Sequence, residues 1–101
     1  MVTFSDRVMV PAHVLIRHLD GESVLLNLET ERYFGLDATG TRMWDVATQA
    51  ASLEAAYVTL MQEFEVEPEV LRANLAELIT GLLEHGLLKL ASVDVGSLPA
   101  V

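Results

Sequence analysis

The hydrophobic pattern of this chain changes its period once, at Asp37. Before Asp37, apolar and β-branched side chains occur in short runs with the two-residue alternation of strands. After it they recur every three to four residues, as in amphipathic helices. Strands followed by helices indicate an α+β domain, because a parallel α/β sheet needs the two kinds of element in alternation.

Three strands are predicted before the change of period. Val14–Leu19 is an aliphatic and β-branched run, and the Asp20-Gly21 pair that follows is a strong signal for a two-residue hairpin turn. Residues 24–28 form the returning strand. Its side chains alternate between two faces, with Val24, Leu26 and Leu28 on one face and Leu25 and Asn27 on the other.

The third predicted strand is Arg32–Leu36, after a polar turn. Its aromatic pair, Tyr33 and Phe34, suits a strand better than a helix. Because this strand is the last of the antiparallel meander, we expect it at an edge of the sheet, where N–H and C=O groups stay unpaired.

Three helices are predicted after the strands. Asp37 or Thr39 can cap the first, Ser52 can cap the second, and Pro68 fits the first turn of the third. Gly86 stands where a left-handed residue ends a helix. The inward side chains of the first two helices are predicted to be Met43, Trp44 and Ala47, and then Leu53, Ala56, Tyr57, Leu60, Met61 and Phe64. The whole order is similar to that of a winged helix-turn-helix.

The third helix carries two apolar stripes. The first is expected in the core and consists of Leu71, Leu75, Leu78 and Leu82. The second adjoins it and consists of Arg72, Ala76, Ile79 and Leu83. This second stripe is either a widening of the buried face or the wall of a groove against the third strand, in which the small Ala76 leaves room for a partner's side chain.

The two ends of the chain are expected to differ. Residues 1–90 form the predicted domain, with a short extended piece at 87–90, and residues 91–101 are expected to form a flexible tail. No signal peptide and no apolar run of roughly 20 residues is visible, which predicts a cytoplasmic protein.

Composition narrows the possible functions. Six basic and fifteen acidic side chains give a formal net charge of −9, which should repel the phosphate backbone of a nucleic acid. There is no cysteine, so disulfides, thiolate nucleophiles and cysteine zinc sites are excluded.

No catalytic or metal-binding pattern is visible. His13, His18 and His85 lie far apart and lack the spacing of a helical metal site. The serines have no nucleophile-elbow context, and the glycines form no phosphate-binding loop. We therefore predict a protein without catalytic activity, cofactor or metal. It would bind an extended peptide antiparallel to Arg32–Leu36, with alternate peptide side chains directed towards the third helix.

The sequence also resembles a known family, the PqqD-like precursor-peptide recognition elements of ribosomal peptide pathways. The resemblance extends over residues 8–90 and rests on VLLNLETERYFGL at 24–36, on Gly40 and Trp44, and on LLEHGLL at 82–88. It implies a winged-helix-like domain that binds a leader peptide between the third strand and the third helix. The candidate peptide-binding residues are Arg32, Tyr33, Phe34, Gly35, Leu36, Arg72, Leu75, Ala76, Ile79 and Leu83.

The resemblance also implies a separate maturation enzyme as a partner. The spacing Asn-x-x-Thr-x-x-Tyr-x-x-Leu, from Asn27 to Leu36, is most similar to stand-alone members in lasso-peptide clusters, which serve a leader peptidase. An alternative is delivery of the precursor to a radical enzyme in pyrroloquinoline quinone-type synthesis. Two further alternatives are a DNA-reading winged helix, which the single basic residue Arg72 on the body of the third helix disfavours, and a dimerisation module.

Overall fold

A computed structural model describes residues 2–91 of the chain. Its elements are, in order, β1 (Val8–Met9), β2 (Val14–Leu19), β3 (Glu22–Asn27), β4 (Arg32–Leu36), α1 (Ala38–Gln49), α2 (Leu53–Glu63), α3 (Pro68–Glu84) and β5 (Lys89–Leu90). The predicted α+β order, a three-stranded antiparallel sheet followed by three helices, is confirmed. β2, β3 and β4 correspond to the three predicted strands, although β3 spans 22–27 instead of 24–28.

The main sheet has the strand order β2-β3-β4, so β4 lies at an edge, as expected for the last strand of a meander. Asp20 (φ 52°) and Gly21 (φ 84°) form the turn between β2 and β3, and both have positive φ values. Two such residues match a two-residue type I′ hairpin turn, whose twist suits the flanking strands.

β1 and β5 form a second, two-stranded antiparallel sheet. The sequence pattern predicted a short extended piece at 87–90, which includes β5, but no strand at β1. Val8 pairs with Leu90 and Met9 with Lys89, and the backbone N–H of Ala91 donates to the carbonyl oxygen of Arg7 at 2.8 Å. Two residues are too few to show an alternation, so β1 has no periodic signal. Apart from Ala91, the predicted flexible tail lies outside the described residues.

The helix ends follow the local signals. The side chain of Asp37 accepts a hydrogen bond from the backbone N–H of Gly40, and that of Ser52 accepts one from Ala55. These are ordinary N-cap bonds. Pro68 is the first residue of α3, where its missing N–H costs no helical hydrogen bond.

The core lies between the sheet and the helices. On β3 its buried face is Ser23, Leu25 and Asn27, all at most 2% exposed. From the helices it takes Met43, Trp44 and Ala47, then Leu53, Ala56 and Leu60, and on α3 Leu71, Leu75, Ile79 and Leu82. No helix within residues 2–91 is long and apolar enough to cross a membrane.

Candidate peptide-binding site

The hairpin between β2 and β3 determines which way the backbone groups of the sheet point. In a two-residue hairpin, the pair that flanks the turn, here Leu19 and Glu22, is hydrogen-bonded, and the direction then alternates along each strand. Even-numbered residues of β3 therefore turn their N–H and C=O groups to β2, and odd-numbered residues turn theirs to β4. The next even residue, Leu28, agrees, because its N–H donates to the carbonyl oxygen of His13 at 2.8 Å.

The same alternation leaves two residues of β4 with outward-facing backbone groups. Arg32, Phe34 and Leu36 stand opposite odd-numbered residues of β3 and bond back to them. Tyr33 and Gly35 therefore direct both their N–H and C=O groups to the free edge, where no other strand of residues 2–91 pairs with them. A free edge of this kind can pair with an added extended chain.

Side chains of β4 alternate between the two faces of the sheet. Phe34 and Leu36 are half-buried and pack against the core, whereas Tyr33 is 73% exposed on the opposite face. Phe34, and not Tyr33, thus faces α3. Tyr33 instead lines an apolar hollow on the outer face of the sheet, together with Leu15, Ile16, Arg17, Val24 and Leu26.

A groove runs between β4 and α3, with a volume of about 200 Å³. We call it the β4–α3 groove, and it is lined by Phe34, Gly35, Leu36, Glu77, Leu78, Gly81, Leu82 and His85. Its surface is mostly apolar, and Glu77 and His85 are its ionisable side chains. An extended chain paired with β4 would direct every second side chain into this groove.

The structure places the predicted helix residues outside this lining. Leu75 and Ile79 are fully buried in the core, so they offer no surface to a partner. Leu83 is half-buried against the core, and Ala76 lines a hollow on the other flank of α3. On the α3 side, the groove wall is instead formed by Glu77, Leu78, Gly81, Leu82 and His85. The sequence pattern placed both leucines in the core. Leu82 is buried there, at 4% exposed, whereas Leu78 is half-buried.

Arg72 is engaged on the far side of the helix. Its guanidinium Nη2 donates to Glu54 Oε1 at 2.8 Å, and this hydrogen bond raises the pKa of Arg72 above its ordinary value. The same guanidinium lies 4.1 Å from the ring centroid of Phe4 and 4.8 Å from that of Tyr57. Arg72 therefore joins α3 to α2 and the N-terminal segment, away from β4.

The side chain of Asn27 forms hydrogen bonds with both segments that meet at the end of the groove. It is 2% exposed, and its Nδ2 donates to the carbonyl oxygen of His85 at 3.0 Å. Its Oδ1 accepts from the backbone N–H groups of Glu29 (2.9 Å) and Thr30 (3.3 Å). One buried amide thus ties the turn before β4 to the C-terminus of α3 and satisfies backbone groups on both.

The end of α3 has the geometry of a Schellman motif. Gly86 has φ 71°, its N–H donates to Leu83, and the N–H of Leu87 donates to Leu82. A Cβ on Gly86 would lie 3.1 Å from Asn27 Nδ2, so a glycine is needed here for both conformation and space. The predicted left-handed residue is confirmed.

His85 separates the groove from a more polar hollow around Asn27 and Arg32. Its Nδ1 lies 2.8 Å from the carbonyl oxygen of Gly81. Since a carbonyl only accepts, Nδ1 must carry a proton. The imidazole lies against Phe34, with ring centroids 4.4 Å apart at an angle of 56°. The hydrogen bond and the ring contact hold the His85 side chain at the end of the groove.

The described residues show no metal centre. Within residues 2–91, no group of three or more His, Asp or Glu side chains is placed to hold a metal ion. His18 and Asp45 lie 3.4 Å apart on the surface, and His13 contacts Glu29 at 3.6 Å, but each is a pair and not a cluster.

Comparisons with known proteins give a family match and two solved structures of similar fold. The family model of coenzyme PQQ synthesis protein D (PqqD) matches residues 22–88. The fold is similar to that of TbiB1, solved in complex with the TbiA(beta) leader peptide, with a TM-score of 0.75 and 30% identity over 85% of this chain and 99% of that one.

A second solved structure, a lasso peptide synthetase B1 complexed with the leader peptide, shares the fold. It has a TM-score of 0.74 and 23% identity, covering 82% of this chain and 98% of that one. No curated protein sequence matches the chain. Since the family model covers more than half of the sequence, the chain belongs to the PqqD family.

Proposed function

We propose that this protein binds the leader segment of a ribosomally made precursor peptide as an added strand on β4, and presents that precursor to a separate maturation enzyme. The observation that carries the proposal is the pair of outward-facing backbones at Tyr33 and Gly35, directly beside the β4–α3 groove. Membership of the PqqD family, and similarity to two proteins solved with leader peptides, support it.

The affinity of such a complex would come from two sources. The N–H and C=O groups of Tyr33 and Gly35 offer four backbone hydrogen bonds, and each contributes roughly 0.5–1.5 kcal/mol net. Apolar side chains of the leader would then be buried against Phe34, Leu78 and Leu82. Together these terms are compatible with micromolar binding, about −8 kcal/mol, after the cost of ordering the peptide.

The protein itself has a non-catalytic role in this proposal. Binding holds the leader in one extended conformation, so the rest of the precursor stays free for an enzyme to process. We propose a leader peptidase of a lasso-peptide pathway as that enzyme, since the similar solved structures include a lasso peptide synthetase B1. A radical enzyme of pyrroloquinoline quinone-type synthesis is the alternative, because the matching family model describes coenzyme PQQ synthesis proteins.

The proposal is tested by removing one outward N–H from β4. Gly35→Pro removes it without breaking a hydrogen bond to β3, and proline is tolerated in edge strands where its nitrogen faces solvent. Gly35→Ala is the matched control, because open space surrounds the position of its Cβ. Titration calorimetry would use peptides selected from a displayed random library on the wild-type protein, and the TbiA(beta) leader peptide.

The proposal predicts that Gly35→Pro weakens peptide binding by about tenfold, the effect of losing one hydrogen bond and the close approach of the strand. Gly35→Ala should bind like wild type. Equal affinities for the alanine and proline variants, both folded by circular dichroism, would show that the peptide does not pair with β4.

A further inference from the structure

Gly81 is a glycine in the body of α3 that the fold itself does not explain. Glycine destabilises a helix interior relative to alanine, because it has more backbone freedom to lose on folding. Other helix glycines allow the close approach of a neighbouring element. Here, apart from the chain neighbours of Gly81 and the backbone of α3 itself, no heavy atom of the described residues lies within 4 Å of the position that a Cβ would take. The space above Gly81 is open.

This open position joins two hollows. Gly81 and Glu77 line the β4–α3 groove, and both also line a hollow on the opposite flank of α3. That second hollow, the α3 flank hollow, has a volume of about 450 Å³ and is completed by Val2, Ala76, Thr80 and Glu84. Because Gly81 has no side chain, a long side chain can pass from the groove across the helix into the flank hollow.

The path across α3 at Gly81, which we call the passage, has apolar side chains at both ends and a carboxylate on either side. Leu78 and Leu82 lie on the groove side of Gly81, while Val2 and Ala76 lie on the flank side. Glu77 and Glu84, one turn before and one turn after Gly81, are both exposed, and neither forms an ion pair with another residue of 2–91.

Among residues 2–91, no lysine or arginine lines either hollow. The basic residue on this side of the sheet, Arg32, lies beyond Phe34 and lines the polar hollow around Asn27. His85 lines the groove, but its Nδ1 already bonds to the carbonyl oxygen of Gly81. The local charge around the passage is therefore negative, like that of the whole chain.

Resting on the proposed function, we propose that the leader peptide carries a lysine or arginine whose side chain crosses α3 at Gly81 and places its cationic head between Glu77 and Glu84. A long basic side chain fits both properties of the passage. Its aliphatic stem packs on apolar surface while its head stays hydrated near the carboxylates. An acidic or phosphorylated segment would be repelled by the same two carboxylates.

The test selects peptides from a displayed random library on the folded, full-length protein and resynthesises the enriched sequences. A lysine or arginine is expected at one fixed position of the enriched peptides. Selection on a Glu77→Gln/Glu84→Gln variant should lose that preference. Replacing the basic residue by norleucine should weaken binding to wild type by about two- to fivefold per carboxylate contact, and the difference should shrink in high salt.

Gly81→Ala gives a second, independent readout. The alanine should raise the melting temperature, because it is the better helix former, and yet weaken binding of the basic peptide, because its methyl group narrows the passage. Glu65→Gln/Glu67→Gln, which removes two exposed charges outside both hollows, is the control with the same change in net charge as the Glu77→Gln/Glu84→Gln variant. It should bind like wild type.

The outcomes separate this inference from the proposed function. The inference is overturned, and strand addition left intact, if the selected peptides need the β4 edge but show no preference for a basic residue. The same holds if they bind equally well to wild type, Gly81→Ala and the double glutamine variant. A library from which nothing is enriched overturns both. The inference is also overturned if the peptide residue that lies beside Gly81 is preferentially aromatic or acidic.

Discussion

Asn27 Nδ2 donates a 3.0 Å hydrogen bond to the carbonyl oxygen of His85 and so joins the sheet to the last turn of α3. The two residues are far apart in the sequence, yet this contact ties the end of β3, beside the turn that leads into β4, to the C-terminal end of the helix that forms the other wall of the groove. The buried amide of Asn27 thus belongs both to the contacts that stabilise the fold and to the support of the groove. A change at Asn27 should therefore affect stability and binding together.

Asn27→Leu should lower the free energy of unfolding by about 1–3 kcal/mol, because it leaves the carbonyl oxygen of His85 and the N–H groups of Glu29 and Thr30 without their buried partner. Urea denaturation measures the change. Leu28→Ala, at a neighbouring side chain that is 50% exposed, should cost much less. Equal losses in the two variants would contradict a structural role for the amide.

Gly86→Ala should also destabilise the protein, by about 1–2 kcal/mol, because an L-residue is strained at φ 71°. The new methyl would in addition stand 3.1 Å from Asn27 Nδ2. Gly35→Ala is the comparison, since its φ is not positive and its surroundings are open. A Gly86→Ala protein as stable as Gly35→Ala would show that the helix end relaxes freely.

The ion pair of Arg42 and Glu63 should make stability depend on pH. Arg42 Nε and Nη2 donate to the two carboxylate oxygens at 2.7 Å each, and the hydrogen bond from Arg42 lowers the pKa of Glu63 below its ordinary value of 4.5. A lowered folded-state pKa means that the stabilisation is present above pH 4.5 and is lost as the pH falls through the folded-state value.

The Arg42→Gln variant measures this effect. In urea titrations it should be less stable than wild type at neutral pH, and the difference should disappear in acid. Arg17→Gln, which removes an arginine without an ion pair in the described structure, controls for net charge. A gap between wild type and Arg42→Gln that persists unchanged in acid would exclude the ion pair as its cause.

Arg72→Ala tests where the peptide does not bind. Because the arginine contacts Glu54, Phe4 and Tyr57, its loss should release the N-terminal segment and speed amide exchange around Phe4. Affinity for library-selected peptides should stay within about twofold of wild type, since a twofold change is less than 0.5 kcal/mol. A large loss of affinity with unchanged exchange would place Arg72 in the peptide site after all.

Local signals account for what the sequence predicted. The turn at Asp20-Gly21 needs two residues with positive φ values, which this pair readily adopts. Ser52 caps α2 and Pro68 begins α3 through contacts within one helical turn. The edge position of β4 follows from its place as the last strand of a meander. These features depend on neighbours in the chain, so a single sequence contains them.

The helix side of the groove depends on packing between distant elements. On α3 the sequence pattern placed Leu78 in the core stripe and Ile79 in the second stripe, which was either a wider buried face or the groove wall. Only the docking of the helix decides that Ile79 is buried and Leu78 lines the groove. Rotation by one residue, 100°, exchanges the two stripes. The contact between Asn27 and His85 had no signal in the sequence pattern, although both residues lie in the segments that resemble the PqqD-like family.

The most direct test of strand addition is amide exchange, residue by residue, along β4. In the free protein, the N–H groups of Phe34 and Leu36 should exchange slowly because they bond to β3, while those of Tyr33 and Gly35 should exchange fast. Adding a selected peptide should protect Tyr33 and Gly35 and change Phe34 and Leu36 little. Peptide binding that leaves Tyr33 and Gly35 exchanging at their free rates would contradict the account.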